Sequence, residues 1–75
     1  MPDRLAGFKY RDVAKRFRAL GFAFARQSKG SHEQWRHPDG RQITLFQHPG
    51  DFPAKTLRLI LNQAKVSVDE FLAAK

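Results

Sequence analysis

Residues 22–46 read FAFARQSKGSHEQWRHPDGRQITLF and decide the fold, because they contain three short strand patterns separated by two turns. The alternation of Phe with Ala over 22–27 is typical of a strand. Gly30 suits the first turn, since glycine adopts a positive φ without steric cost. The HPDG sequence at 37–40 predicts a type I turn, with Pro at its second position and Gly at its fourth. We therefore expect strands over 22–27, 32–37 and 41–46, paired in one antiparallel sheet.

Helical patterns flank this segment on both sides. Apolar residues recur at helical spacing from about Tyr10 to Leu20, where Gly21 ends the pattern, and again from Pro53 to about Ala64. A capping box over 67–70 predicts a short third helix. The two apolar stripes consist of Tyr10, Val13, Phe17 and Leu20 in the first helix and Leu57, Ile60, Leu61 and Ala64 in the second.

The element order predicts an α+β fold of the α-β-β-β-α type with a short C-terminal helix. A three-stranded antiparallel sheet with both main helices on one face would bury the two stripes, and this is the architecture of double-stranded-RNA-binding domains. The 75 residues are expected to form a single domain (1–75), in which residues 1–8 form a loose arm. The chain has no cysteine, so apolar burial rather than a disulfide or a thiolate zinc site must stabilise it.

The charge balance points to a polyanionic partner. Fourteen Lys and Arg residues against seven acidic residues give a net charge of +7. So large an excess favours nucleic acid or an acidic protein as the partner, although simple solubility is the alternative explanation. No apolar run approaches the roughly 20 residues of a membrane span, and the N-terminus lacks the apolar core of a secretion signal. A cytoplasmic location without membrane attachment is therefore expected.

His32 is the candidate catalytic residue. Side chains alternate along a strand, so Trp35 in the core would leave His32 and Arg36 on the open face. Imidazole suits proton transfer near neutral pH, since its unperturbed pKa is about 6.5. His32 could take the proton from a ribose 2′-hydroxyl, a reaction that needs no metal or cofactor because the nucleophile belongs to the substrate. The residues expected to hold the RNA are Arg26, Lys29, Ser31, Arg36 and Arg41.

Other readings of these residues stay open. A lone histidine on a strand is more often structural than catalytic, and His48 is either a second acid–base group or a loop residue without function. His37 is expected to be a turn residue with its ring near Asp39. A metal site is not expected, because His32 and His37 point to opposite strand faces. A row of three cations on the first helix, Arg11, Lys15 and Arg18, is either a solvated face or a phosphate contact.

Three segments resemble the HicA toxin family of bacterial and archaeal toxin–antitoxin modules. They are RQSKGSH at 26–32, RHPDGR at 36–41 and TLRLILNQA at 56–64, and the resemblance covers about residues 10–72. It implies a ribonuclease toxin that cleaves mRNA, with one essential histidine at the Gly-Ser-His position, here His32. It also implies a HicB-like antitoxin as the protein partner. The alternatives are a non-catalytic RNA-binding module on the same fold and a purely protein-binding role.

One departure from the family pattern concerns the end of the second helix. Lys65 stands where a helix-ending glycine is common. If its φ is positive, a lysine there costs about 1 kcal/mol of stability relative to glycine.

Overall fold

A computed structural model describes residues 3–47 and 49–74 and has the expected order of elements. His48, the possible second acid–base group, lies outside the described residues. The elements are α1 (Tyr10–Ala19), β1 (Ala23–Gln27), β2 (His32–Arg36), β3 (Gln42–Phe46), α2 (Ala54–Ala64) and α3 (Val68–Ala73). The predicted α-β-β-β-α order with a short C-terminal helix is confirmed, and the predicted element ends differ from these by one residue.

The three strands pair antiparallel in chain order, so β2 is the central strand. His32 lies opposite Phe46, and Gln34 lies opposite Thr44. The expected turn after β2 is present, because the Gly40 N–H donates to the His37 carbonyl at 2.9 Å. On the other side of β2, the register with β1 shifts between Phe24 and Arg26, where a bulge interrupts the ladder.

Both main helices cover the same face of the sheet. Trp35, Ile43 and Leu45 point from the strands into one apolar cluster with the stripes of α1 and α2. The second stripe is buried as predicted, and in α1 Val13 and Phe17 are buried while Tyr10 and Leu20 are half-buried. Because strand side chains alternate, His32, Gln34 and Arg36 face the other side, which no helix covers in the described part of the chain.

The two edges of the sheet differ. Beside β3, the Thr44 N–H donates to Oε1 of Gln63 on α2 at 3.2 Å, so a helix side chain satisfies that edge. At β1 all five residues are exposed, and no other described strand pairs with its outer edge. The β1 edge is therefore the accessible one.

The expectation of a loose N-terminal arm is wrong for residues 3–8. Leu5 is fully buried in the core, and the Phe8 ring contacts the Phe71 ring at 5.3 Å between centroids. Arg4 pairs with Asp69 at 2.6 Å, and Asp3 pairs with Arg58 at 2.9 Å. These partners lie in the last two helices, so the segment is held by contacts that are distant in sequence.

The helix ends show two different caps. At the start of α1, the Asp12 carboxylate accepts the Lys9 N–H at 3.2 Å. At the end of α2, Lys65 adopts a left-handed conformation with φ 56°. The positive φ considered in the sequence analysis for this position is therefore present, in a residue that has a Cβ. Within the described ranges, no helix is long and apolar enough to cross a membrane.

Candidate functional site

His32 begins β2 with its side chain exposed on the open face. Its backbone is fixed at both ends of the turn, because its N–H donates to the Lys29 carbonyl at 3.1 Å and its carbonyl accepts the Ser28 N–H at 2.9 Å. The imidazole forms no hydrogen bond or ion pair with any described residue. Its ring meets that of Phe46, the cross-strand neighbour, edge to face at 5.7 Å between centroids. The backbone is therefore held in place while both ring nitrogens remain available for a ligand.

Two of the predicted cations lie close to His32. Lys29 belongs to the turn that leads into His32, and Arg26 lies opposite Gln34 on the open face. With a rise of about 3.3 Å per residue and about 4.8 Å between strands, the Arg26 Cα is about 8 Å from that of His32. Arg36 lies on the same face but about 13 Å along the strand. The backbones of Arg26 and Lys29 therefore lie near His32, whereas Arg36 is at the far end of β2.

Arg41 differs from the other predicted RNA contacts, because its side chain is occupied within the protein. Its Nε pairs with Asp39 at 2.8 Å, and its guanidinium donates to the Ala64 carbonyl at the end of α2 at 2.8 Å. The guanidinium also lies over the Phe22 ring, 5.2 Å from its centroid. Its role in RNA binding stays a prediction, and any phosphate would compete with these contacts.

The acidic side chains leave a large part of the positive charge without a counter-ion. Each of the seven carboxylates has a hydrogen bond or ion pair within the protein: Asp3, Asp12, Glu33, Asp39, Asp51, Asp69 and Glu70. Nine cations form no ion pair with a described residue, and one of them, Arg16, instead donates to the Leu72 and Ala74 carbonyls. The other eight are Arg11, Lys15, Arg18, Arg26, Lys29, Arg36, Lys55 and Lys65. The exposed row on α1 and the flanks of His32 are therefore positively charged surfaces without internal compensation.

A polar network covers the rest of the open face. Gln34 accepts at Oε1 from the Gln42 amide at 2.8 Å and from the Thr44 hydroxyl at 3.3 Å. Its own amide donates to the Ser28 hydroxyl at 3.4 Å, and Arg36 donates to Gln42 at 3.2 Å. These bonds hold the side chains between His32 and Arg36 in a defined arrangement, which the sequence did not predict.

Ser31, the remaining predicted contact, lines a cleft. The cleft has a volume of about 410 Å³, and its described walls are Tyr10, Ser31, Gln47 and Pro49. It opens where β2 begins, one residue from His32. A ligand on the imidazole could therefore extend into it.

Next to His32 in the chain, on the core face, lies a buried carboxylate that the sequence did not predict as part of the site. Glu33 is only 6% exposed, and its Oε1 accepts from the Tyr10 hydroxyl at 2.5 Å and from the Trp35 indole at 3.0 Å. Burial, together with the hydrogen bond to Glu33 and its charge, raises the pKa of Tyr10 to about 12. The network joins the start of α1 to the central strand. Strand alternation pairs Glu33 with Trp35 on the core face, which is the one sequence signal for it.

His37 has the structural role that was expected. The Asp39 N–H donates to its Nδ1 at 3.1 Å, and the ring packs edge to face on Phe22 at 5.1 Å between centroids. Position 21 next to this ring requires glycine. The φ of Gly21 is 98°, and a Cβ on it would lie 2.7 Å from Nε2 of His37. Across residues 3–47 and 49–74, no three His, Asp or Glu side chains come together as a metal site would require.

Comparison with known proteins gives the family. Residues 10–66 match the profile of a family described as HicA toxin of bacterial toxin-antitoxin, whereas no curated protein matches the sequence significantly. The matched segment begins at the first residue of α1 and ends just beyond α2, so it contains the whole sheet and His32. Because it spans well over half of the 75 residues, the chain belongs to the HicA toxin family of bacterial toxin–antitoxin systems, a membership that implies an antitoxin partner.

Proposed function

We propose that this protein is a toxin that acts as an endoribonuclease on mRNA, with His32 as the catalytic acid–base residue. The observation that carries the proposal is the imidazole on the open face, exposed and without an internal hydrogen bond in the described structure. Lys29 and Arg26 lie near it along the backbone and form no ion pair with a described residue. A structural histidine, such as His37, has its ring nitrogen bonded and its ring packed.

The chemistry follows from the reactivity of RNA. His32 takes the proton from a ribose 2′-hydroxyl, and the 2′-oxygen attacks the adjacent phosphorus. The bond from phosphorus to the 5′-oxygen breaks, which leaves a 2′,3′-cyclic phosphate on one product and a 5′-hydroxyl, protonated by an acid, on the other. Negative charge grows on the phosphoryl oxygens as the 2′-oxygen adds. Lys29 and Arg26 stabilise that charge, and no metal or cofactor is needed to generate the nucleophile.

The remaining predicted residues bind the RNA on either side of the reacting phosphate. Ser31 lines the cleft next to His32, and the neighbouring nucleotide enters this cleft. Arg36 lies about 13 Å along the strand and contacts a more distant phosphate. Arg41 adds positive charge near the turn after β2.

Replacement of His32 tests the assignment. We expect His32→Ala to lower the rate of RNA cleavage roughly 10²- to 10⁴-fold and to abolish growth arrest, with the melting temperature unchanged because the side chain is exposed. His37→Ala is the matched control. This variant should lower the melting temperature, because the His37 ring packs against Phe22. The rate of cleavage per folded molecule should stay the same. Growth arrest by a folded His32→Ala protein would refute the catalytic role, and RNA binding without any cleavage by the wild type would favour a non-catalytic RNA-binding module.

The substrate nucleophile can be tested separately. An RNA with a single 2′-deoxynucleotide at the cleaved position should resist the enzyme, and the normal product should carry a 2′,3′-cyclic phosphate detectable by mass spectrometry. Cleavage should continue in excess EDTA. Cleavage of the deoxy substrate would show that water rather than the 2′-hydroxyl attacks, and loss of activity in EDTA would show a requirement for a metal.

For the antitoxin, we propose a HicB-like protein that covers the open face of the sheet. Such a partner would offer acidic groups to Lys29 and Arg26 in place of RNA phosphates. Complementary charge accelerates association and fixes the register of docking. Inhibition would then result from direct competition for the surface around His32.

A further inference from the structure

Phe24 is a large apolar side chain that is half exposed instead of buried in the core. It is 51% exposed, and among the described residues Leu59 is the other large apolar side chain that is exposed, at 63%. Leu59 lies on the outer face of α2, whereas Phe24 lies on β1, at the accessible edge of the sheet. An aromatic ring at such an edge offers a flat apolar surface to a ligand.

The Phe24 ring is held in place by its neighbours. It lies opposite Trp35 and meets that ring edge to face, at 6.3 Å between centroids. The Arg18 guanidinium covers the Trp35 ring at 5.1 Å to its centroid. Phe24, Trp35 and Arg18 therefore form one packed unit, in which Phe24 stays half exposed while the indole is buried.

The surroundings of Phe24 are cationic. Arg18 on α1 and Arg26 on β1 form no ion pair with a described residue, and Arg11 and Lys15 continue the row on α1. Arg26 faces the open side of the sheet beside Gln34, so the β1 edge lies between two positively charged surfaces. Unneutralised cations next to an exposed ring are the combination that binds single-stranded nucleic acid, because the cations contact phosphates and the ring stacks with a base.

We propose that Phe24 is a stacking platform for an unpaired base of the RNA, near the bond that His32 cleaves, with Arg18 and Arg26 on the adjoining phosphates. The inference rests on the proposed ribonuclease function and adds a preference for single-stranded substrate. Phe24 lies one strand across from β2 and three residues along from His32, a Cα separation of about 11 Å. One short RNA segment can therefore cross the β1 edge and contact both residues.

Charge and area favour RNA over a protein at this position. A stable protein interface buries about 800 Å² on each partner and has few charges at its centre. Here one half-exposed ring stands between two arginines that form no ion pair with a described residue, and this apolar area is too small for such a centre. A base needs only one ring face, and the phosphates on either side neutralise the arginines.

Binding of RNA by full-length variants tests the proposal. All proteins carry His32→Ala so that the RNA stays intact, and the probe is a fluorescent single-stranded RNA without self-complementarity. Adding Phe24→Ala should weaken binding roughly 5- to 150-fold, the measured range for loss of one stacked base. Phe24→Leu should weaken it to a similar degree, because leucine keeps the apolar contact and lacks the aromatic face. Binding of a duplex of the same sequence should change much less, since its bases are already stacked.

Leu59→Ala is the control, since it removes the other exposed apolar side chain and should leave RNA affinity unchanged. Circular dichroism establishes that each variant is folded. Full affinity in both Phe24 variants, with RNA binding otherwise intact, would overturn the stacking role and leave the proposed function standing. So would an equal loss for single-stranded and duplex RNA, or retained RNA affinity with loss of antitoxin binding. If the parent protein binds no RNA at all, the proposed function fails as well.

Discussion

His32 and Glu33 are adjacent on β2 but meet opposite surroundings. The imidazole faces solvent without a hydrogen-bond partner in the described structure, whereas the carboxylate is buried and accepts from Tyr10 and Trp35. Strand alternation explains the division, because successive side chains point to opposite faces. A buried carboxylate is costly unless donors surround it. Glu33 thus requires Tyr10, and this requirement ties the start of α1 to the strand that carries His32.

The Tyr10 hydroxyl gives a prediction that can be measured in isolation, because it is the only tyrosine in the chain. Its pKa is raised to about 12 in the folded protein, against about 10 in an unfolded chain. Because folding raises this pKa, the protonated Tyr10 hydroxyl contributes to the stability of the folded protein. This contribution is complete below pH 10 and is lost as the pH rises through 12. Phenolate absorbance should therefore titrate near 12 when the protein is folded and near 10 in denaturant.

Tyr10→Phe provides the control for this titration. The variant should lack the phenolate signal and the steep loss of stability between about pH 10 and 12. A phenol that titrates near 10 in the folded wild type would contradict the hydrogen bond to Glu33.

Lys29 and Arg41 should respond differently to replacement by alanine. Lys29 is exposed in the turn, so Lys29→Ala should weaken RNA binding, flatten the salt dependence by about one unit, and leave stability unchanged. Arg41→Ala removes the hydrogen bond to the Ala64 carbonyl and the contact with Phe22. It should therefore also lower the free energy of unfolding by about 1–2 kcal/mol. Equal stability of the two variants in denaturant titrations would show that the Arg41 contacts contribute nothing.

At the scale of elements, the end of α2 is strained. Lys65 has φ 56°, a conformation that costs a residue with a Cβ about 1–2 kcal/mol. Glycine avoids this cost and loses more entropy on folding, so Lys65→Gly should stabilise the protein by about 1 kcal/mol, or roughly 4–8 °C in melting temperature. Gly21→Ala is the opposing control and should destabilise it, because the new Cβ would meet His37. An unchanged melting temperature in Lys65→Gly would mean that the lysine makes a compensating contact.

The sequence predicted the elements where the signal is local. Period-2 alternation, with Trp35 in the core, put His32 on the open face, and both positions are confirmed. The N-terminal arm was predicted wrongly because one buried residue, Leu5, gives no periodic pattern. The contacts that hold the arm come from residues more than fifty positions away, on α2 and α3.

In the candidate site, too, the local sequence pattern predicts only part of the arrangement. Alternation indicates which face a side chain takes, but it does not show how far the helices extend over that face. Phe22 is therefore buried while Phe24, two residues later, is half exposed. Charge alone also does not show which arginine side chains have partners within the protein. Arg41 pairs with Asp39 and donates to the Ala64 carbonyl, and the second contact exists only in the folded chain.

At the scale of the whole molecule, the unpaired cations should dominate RNA affinity. Each phosphate that a cation neutralises releases counter-ions, so the logarithm of the affinity should fall linearly with the logarithm of the salt concentration. Arg36→Ala should weaken binding and reduce the slope by about one unit, as Lys29→Ala does. Lys55→Ala on α2 serves as a control on another element, and an equal effect there would mean that RNA binds without a defined surface.

The antitoxin should compete with RNA for the open face, because both are expected to neutralise the cations around His32. Bound antitoxin should therefore protect His32 from reaction with diethyl pyrocarbonate, as followed by mass spectrometry of the peptide that contains it. The half-buried ring of His37, already bonded to the Asp39 N–H, should react slowly with and without the partner and serves as the internal reference. Association should slow as salt is added, since complementary charge accelerates the encounter. Full reactivity of His32 in the complex, with RNA still bound, would instead mean that the antitoxin inhibits from a separate surface.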